Sequence, residues 1–553
     1  MRLFSCVVIA LLSSAAFGQT AETPPAFQVA DVHVSPHVTN PNMRGGVLRA
    51  GRYEIRQASM VDLIRTAYGV DFDKVMSGPS WLESDRFDVI AKAPPATSAD
   101  GAKLMLQTLL AARFKLVAHP DTKLLPTYAL TVGKGKPKLK ETESGADTGC
   151  KFTLQGLEAQ AGGGPVVIQP NAIITLVETC HNTTMAAFAE AMRNMPLANL
   201  GNNPIQDKTG LEGSWDFTFK YSASLNGPAG PSAETITFLD AVDKQLGLKL
   251  DPIKVPISVI VVDSVNRKPT DNLPGVSESL PVIPSEFEVA DIRLSEPGAK
   301  PGGGGFQPGG RLDLRGYPLR QLIILALDLN PQDQIVGAPK WLDSAKVDLI
   351  AKMSATGGPQ NQGIDIDALR PALRALLVER FKLTTHTEER PVDAYTLSAV
   401  KPKLKPADPS NRTACKEGPG ADGKDPRIAN PVNGRLLTCL NMTMAQFAEE
   451  LPRRAGGYLR TPALDATGLE GAWDFTLNFA PNGAVVGGGG GGRGGDGGPV
   501  AVGGAAASGA SEPNGAVSLF DALTKQLGLK LEMQKRPMPV LVVDHIDEKP
   551  ADN

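Results

Sequence analysis

The sequence predicts an α+β protein built by tandem duplication, and three observations carry that expectation. FQVADVHVS at Phe27 returns as FEVADIRLS at Phe287, and Trp81 returns as Trp341, at one common offset (287 − 27 = 260; 341 − 81 = 260). FLDAVDKQLGLKL from Phe238 returns as LFDALTKQLGLKL from Leu519, with KQLGLKL unchanged. Within each copy the apolar period alternates between the 3.6-residue spacing of helices and the two-residue spacing of strands.

In chain order, Phe27 to Val34 reads as a first strand, Tyr53 and Ile55 mark a second, and Leu63, Ile64 and Ala67 lie at helical spacing. WLESDRFDVIAK places Phe87 and Val89 on one face of a strand. The next helix carries Leu106, Leu109, Leu110 and Phe114, matched by Leu373, Leu376, Leu377 and Phe381. It runs through RFKL (Arg113, Arg380) into the strands KLVAH and TYALTV. A cysteine-bearing segment leads to a helix starting near Thr184 or Thr443, the latter with Gln446 three residues on, a capping-box spacing. WDFTFK alternates Trp215, Phe217 and Phe219. The closing unit reads as a helix (Leu239, Val242, Leu246) stopped by Gly247 or Gly528, then two strands separated by a proline-containing turn.

The halves of one copy also share a plan: Met60, Leu63 and Ile64 correspond to Met185, Phe188 and Ala189, and Phe87-Asp88 to Trp215-Asp216. Each copy is therefore expected to hold two modules, each ordered helix, strand, helix, strand, strand.

The chain, 553 residues long, exceeds what one hydrophobic core supports. Arg2, the apolar run Leu3 to Leu12 and the small residues before Gly18 have the order of a signal peptide, with cleavage expected after Gly18. The expected divisions are a signal peptide at 1–18, a first copy at 24–272 and a second copy at 284–553. The proline-rich stretch Asp271 to Pro284 is the boundary, and a glycine-rich insertion at 481–515 is expected to be disordered. A secreted or periplasmic location follows. No segment of the mature chain is apolar enough for a membrane helix. With 56 basic against 59 acidic residues and a net charge of −3, there is no electrostatic footprint for nucleic acid. Apart from Cys6 in the leader, the cysteines fall as one pair per copy, so the expected disulfides are Cys150–Cys180 and Cys415–Cys439. Cys-x-x-Cys spacing and histidine clusters are missing, so no metal or cofactor is expected.

FEVADIR, the Trp-Leu-(Glu/Asp)-Ser run, RFKL followed by His119 or His386, DKTGLEGSWDF and QLGLKL…VVD…KP together resemble a paralogous family of secreted soil-bacterial, acidobacterial-type proteins catalogued as a domain of unknown function, present here twice in tandem. Some members are similar to modules attached to penicillin-sensing membrane metallopeptidases, which implies periplasmic sensing or binding. At module level the order also resembles, more weakly, the short N-terminal domain of secretins and TonB-dependent receptors, an interaction module.

Only His119 and His386, of six histidines, occupy matching places. They are the candidate acid-base or ligand pair, although no nucleophile accompanies them and a strand-end structural role competes. His33 and His37 have ligand-like spacing, but Arg293 and Pro297 replace them in the second copy. Ser398-x-x-Lys401 and Lys208-Thr209-Gly210 occur in the reverse of the order found in penicillin-recognising serine enzymes. The matched acids Asp88/Asp348, Asp216/Asp474 and Asp263/Asp544 are expected to hold turn amides or face solvent, and the four tryptophans to anchor cores. The resulting expectation is an exported, non-enzymatic binding or interaction protein, engaged in periplasmic sensing or scaffolding, with an unidentified protein or cell-envelope ligand as partner. The rival is a hydrolase of cell-wall or peptide material using His119 and His386.

Overall fold

The computed structural model describes residues 24–552 apart from 37, 39–40, 143–147, 156–172, 197, 199, 201–203, 225–235, 283–284, 301, 308–309, 330–334, 354–365, 419–425, 427–432, 456 and 483–514. The signal-like residues 1–18, His37 and most of the glycine-rich insertion lie outside the described residues.

The first copy runs β1 (Val29–Val34), β2 (Arg44–Arg49), β3 (Arg52–Ser59), α1 (Met60–Tyr68), β4 (Val75–Ser77), β5 (Arg86–Lys92), α2 (Ala99–Phe114) and β6 (Val117–Val132). Its second half repeats the series: β7 (Lys140–Glu141), β8 (Gly149–Gln155), β9 (Ile173–Thr183), α3 (Met185–Met192), β10 (Gln206–Asp207), β11 (Trp215–Ser224), α4 (Phe238–Ala241, widening to a π-helical turn over Val242–Leu246) and β12 (Leu248–Ser264). After the short α5 (Val276–Ser279), the second copy gives β13 (Val289–Leu294), β14 (Gly302–Gln307), β15 (Arg311–Pro318), α6 (Leu319–Ala326), β16 (Ile335–Val336), β17 (Lys346–Lys352), α7 (Ile366–Phe381) and β18 (Thr384–Ala399). It closes with β19 (Lys405–Pro406), β20 (Ala414–Glu417), β21 (Arg435–Met442), α8 (Met444–Arg454), β22 (Ala463–Asp465), β23 (Trp473–Phe479), α9 (Leu519–Ala522) and β24 (Leu529–His545).

The sheet orders repeat with the elements. β1-β5-β3-β2 and β7-β11-β9-β8 are one pattern, as are β13-β17-β15-β14 and β19-β23-β21-β20. Each copy's third sheet, β10-β6-β12-β4 or β16-β24-β18-β22, maps onto itself when the halves are exchanged. The fold is thus α+β with four copies of one topological unit, joined in pairs by a shared ribbon.

That ribbon departs from the expected helix, strand, helix, strand, strand order. The two strands expected at the end of each module are one long strand: β6 and β12 pair antiparallel from Leu248 opposite Val132 to Ser264 opposite Val117, about 50 Å at strand rise. The expected proline turn is absent because Pro252 and Pro256 lie where, among the described residues, β12 has no second neighbour, β4 flanking it at Ile260–Val262. A strand tolerates a missing amide at such an edge.

Each end of the ribbon completes one core. Leu116, Ile260 and Val262 join α1, α2 and β5 residues such as Leu63, Phe87 and Phe114, while Leu130, Leu248 and Leu250 join Phe188, Phe219 and Leu246. The second copy divides likewise, with Leu383 and Val543 in one core and Leu397 and Leu529 in the other. All four tryptophans are partly buried against these cores.

The repeated motifs have visible structural work. The amide of Gln245 both receives from and donates to the backbone of Lys220 in β11 (2.9 and 2.6 Å), and Gln526 does the same with Asn478 (2.9 and 2.6 Å). The glycine that follows enters the left-handed region, φ 69° at Gly247 and 68° at Gly528. In RFKL, the carbonyls of Arg113 and Arg380 accept from Thr270 N (2.9 Å) and Ala551 N (2.7 Å), which ties each copy's final residues to its long helix. Asn272 also accepts from Val32 N at 3.0 Å. α5 lies within the boundary stretch Asp271 to Pro284 and buries Val276, with Leu280 buried just after it.

Candidate functional site

His119 and His386 leave β6 and β18 near their starts, and in both copies the structure brings an aspartate to them. Asp263 is the extra residue where the ladder slips between Val262 and Ser264, and Asp544 is skipped in the same way between Val543 and His545. Such a bulge re-aims a side chain. The Asp263 carboxylate lies 2.8 Å from His119 Nδ1, and Asp544 lies 2.8 Å from His386 Nδ1. Two residues on, Glu388 comes within 3.6 Å of His386 Nε2 and is held by Arg390; Asp121 and Lys123 form the corresponding ion pair in the first copy. The hydrogen bond that His386 donates to Asp544, reinforced by Glu388, raises the His386 pKa above its ordinary value.

This constellation can hold a proton and orient an imidazole. Both rings stand about half exposed on the ribbon, 52% for His119 and 48% for His386, and neither lines the cleft described below. Ser398 lies within β18, where its hydroxyl faces the Lys530 carbonyl. His33 contacts Asp31 at 3.1 Å, and His545 contacts Asp547 at 2.9 Å. No group of three or more His, Cys, Asp or Glu among the described residues is placed to hold a metal ion.

The other matched acids hold backbone. Asp88 accepts from Gln57 N (2.9 Å), Asp216 from Asn182 N (2.8 Å), Asp348 from Gly316 N (2.9 Å) and Asp474 from Asn441 N (2.7 Å). Each donating residue has positive φ (53°, 43°, 57° and 48°), sits in a bulge, and precedes by three the first residue of α1, α3, α6 or α8. One carboxylate per unit thus fixes the turn from strand into helix. The Asn182 amide and the Thr142 hydroxyl hold Asp216 below the usual aspartate pKa, and the Ser295 hydroxyl followed by the Gly316 amide does the same for Asp348. Sequence reading paired the acids but missed the residues they hold; asparagine at 182 and 441 and glycine at 316, types that tolerate φ > 0, were the available signal.

Cys150 is bonded to Cys180 and Cys415 to Cys439, each pair directly opposite across neighbouring strands, β8/β9 and β20/β21.

A broad cleft lies where the first half of the first copy meets the second half of the second. Its volume is about 790 Å³, with Gln57, Asp62 and Arg86 on one wall and Lys416, Gln446 and Glu450 on the other. The walls are joined at one side. Thr413 N donates to the Ser80 carbonyl at 3.0 Å, Arg412 Nε donates to the Ser77 carbonyl at 3.2 Å, and Glu83 faces both Arg412 (3.5 Å) and Lys416 (3.8 Å). Burial lowers the pKa of Arg86 and of Arg412, with Asp62 and Glu83 respectively opposing that effect. Cations and carboxylates alternate around the cleft, as in Arg65–Asp62 (2.9 Å) and Arg454–Glu450 (3.0 Å).

No helix among the described residues is long and apolar enough to cross a membrane. No curated protein and no solved structure matches the chain. The family described as protein of unknown function (DUF3738) matches residues 61–265 and 320–546, one stretch per copy, and the chain belongs to that family as a tandem pair.

Proposed function

We propose that this is an exported, non-enzymatic binding protein whose task is periplasmic sensing or scaffolding, and that the cleft between the two copies receives its protein or cell-envelope ligand. The observation that carries the reading is the cleft itself. It takes one wall from each copy, so a single copy cannot make it, and a concave surface with converging polar groups is the usual form of a binding site. Paired charges of both signs suit a polar ligand carrying both signs over a purely anionic one. The signal-like N-terminus and one disulfide per copy support an oxidising compartment.

The His–Asp pairs support a second reading, hydrolysis of cell-wall or peptide material, because an aspartate on Nδ1 is how catalytic imidazoles are oriented. Capture from periplasmic extract with the mature chain, run beside an activity screen of the same sample, separates the two. Binding predicts a specific partner that is lost with Glu450→Lys and retained with His386→Ala. Turnover abolished by His386→Ala overturns it.

A further inference from the structure

In the first copy, the face of the sheet β1-β5-β3-β2 that is turned away from the core carries Asp31 on β1, Ile90 opposite it on β5, and Glu54 and Arg52 on β3. α5 lies against β1, and the segment around it crosses this face between two anchors. At one end the Asn272 side chain donates to Asp31 and accepts from Val32 N at 3.0 Å; at the other, Arg52 Nη1 donates to the Pro281 carbonyl at 2.7 Å. Ile90 stands between the anchors on the face opposite the core, yet it is only 7% exposed, and Val276 and Leu280 of the crossing segment are buried too.

The second copy rebuilds this frame in the same register: Asp291 lies opposite Ile350, and Asp313 and Arg311 follow on β15. Its last described residues, Ala551 and Asp552, are tied to Arg380 as Thr270 is tied to Arg113. The frame itself is open. Val289 is 68% exposed where Val29 is half-buried, Ile350 is half-buried where Ile90 is buried, and the Arg311 side chain is 53% exposed against 16% for Arg52. Arg311 Nη2 lies 3.6 Å from Asp313, and that pairing is compatible with a further contact, because Arg52 holds Glu54 through Nε at 2.7 Å while it donates to Pro281.

We propose that this face of the second copy docks a segment of α5's kind from a partner protein: two apolar side chains four residues apart laid over Ile350 and Val289, and a carbonyl just beyond them taken by Arg311. The first copy argues for that occupant, since Val276 to Pro281 has this chemistry and is seated on the same frame. Covering the exposed apolar pair is the gain, and the arginine fixes the direction of the segment. None of these residues lines the cleft between the copies, so the proposal is independent of the ligand assigned there.

The probe is a labelled synthetic peptide with the sequence of Leu273 to Pro281, LPGVSESLP, titrated with the mature full-length chain by fluorescence anisotropy. Saturable binding at one site per chain is expected, and Val289→Asp, which sets a carboxylate against the apolar pair, should weaken it by roughly tenfold or more. Arg311→Ala should weaken it too, and a peptide with serine at both apolar positions should not bind. Because the free peptide lacks the tether that α5 has, the same segment is also appended after Asn553. Amide exchange should then slow along β13 and β15, and Val289→Asp should remove the effect. Binding or protection that is lost with Val289→Asp sustains the proposal. Absence of both overturns it, as does peptide binding that responds to Val29→Asp in place of Val289→Asp, which would mean exchange with the chain's own α5. Self-association of the parent chain that Val289→Asp abolishes would also overturn it, by making a second molecule the occupant.

Discussion

Two kinds of residue do most of the structural work, and both can be tested singly. A Cβ placed on Gly528 would stand 1.6 Å from the Lys401 carbonyl oxygen, and on Gly247 2.8 Å from that of Lys136. Gly528→Ala is therefore expected to cost about 1–2 kcal/mol from the left-handed backbone alone, and the clash adds to that; denaturant titration should show the larger loss at Gly528. Asp88, 2% exposed, is the most enclosed of the bulge carboxylates. Asp88→Ala leaves the Gln57 amide and the Ser35 hydroxyl without their acceptor, an expected loss of about 1–3 kcal/mol. The pH dependence follows from Asp216 and Asp348. Their folded pKa values lie below the ordinary 3.8, so their stabilisation is present above that value and is lost as pH falls through the folded pKa. His386 has the opposite sign: its raised pKa gives a contribution present below 6.5 and lost as pH rises through the folded value. An NMR titration of His386 should show its pKa fall in Asp544→Asn, and an unchanged value would refute the pairing.

At the scale of elements, each unit is a four-stranded sheet covered by two helices, and the ribbon makes two units into one copy. The disulfide sits in the same ladder each time, bridging an edge strand to its neighbour. Cys180→Ala opens a cross-link spanning 30 residues, expected to cost about 3 kcal/mol. Amide exchange should accelerate in β8, β9 and β11 more than anywhere in the second copy; equal acceleration in both copies would show that they unfold as one. Most of this element layer was legible in the sequence. Helical and alternating periods located α1, α2 and the strands around Phe87 and Trp215, and Thr443 with Gln446 announced a cap that the structure contains. The ribbon was not legible, because Pro252 and Pro256 read locally as a turn and only the tertiary position of β4, alongside three residues of β12, shows why they are tolerated. The His–Asp pairs were half legible. Matching positions singled out both residue types, but their contact depends on a one-residue slip in the ladder, and no local pattern encodes that.

For the whole molecule, the question is whether four units behave as two independent copies or as one object with a cleft. The sequence could not decide it, since Arg412, which carries much of the junction, sits in a loop whose first-copy counterpart is Asp147. The structure answers through enclosure. Arg412 is 18% exposed, donates to the Ser77 carbonyl and faces Glu83, itself 11% exposed. Removing the guanidinium leaves both acceptors partly buried and without it, an expected loss of about 1–3 kcal/mol from the junction. That loss should fall on coupling and leave each copy's own cores intact, because no residue of the junction belongs to the ribbon ends that close them. Arg412→Ala should therefore split thermal unfolding, followed by calorimetry, into two transitions where the parent shows stronger coupling, and it should weaken capture of any ligand that needs both walls of the cleft. A double-mutant cycle with Glu83→Gln measures the shared part. A coupling energy near zero, with an unsplit transition in Arg412→Ala, would mean that the copies merely touch, and the cleft would lose its claim to be a built site.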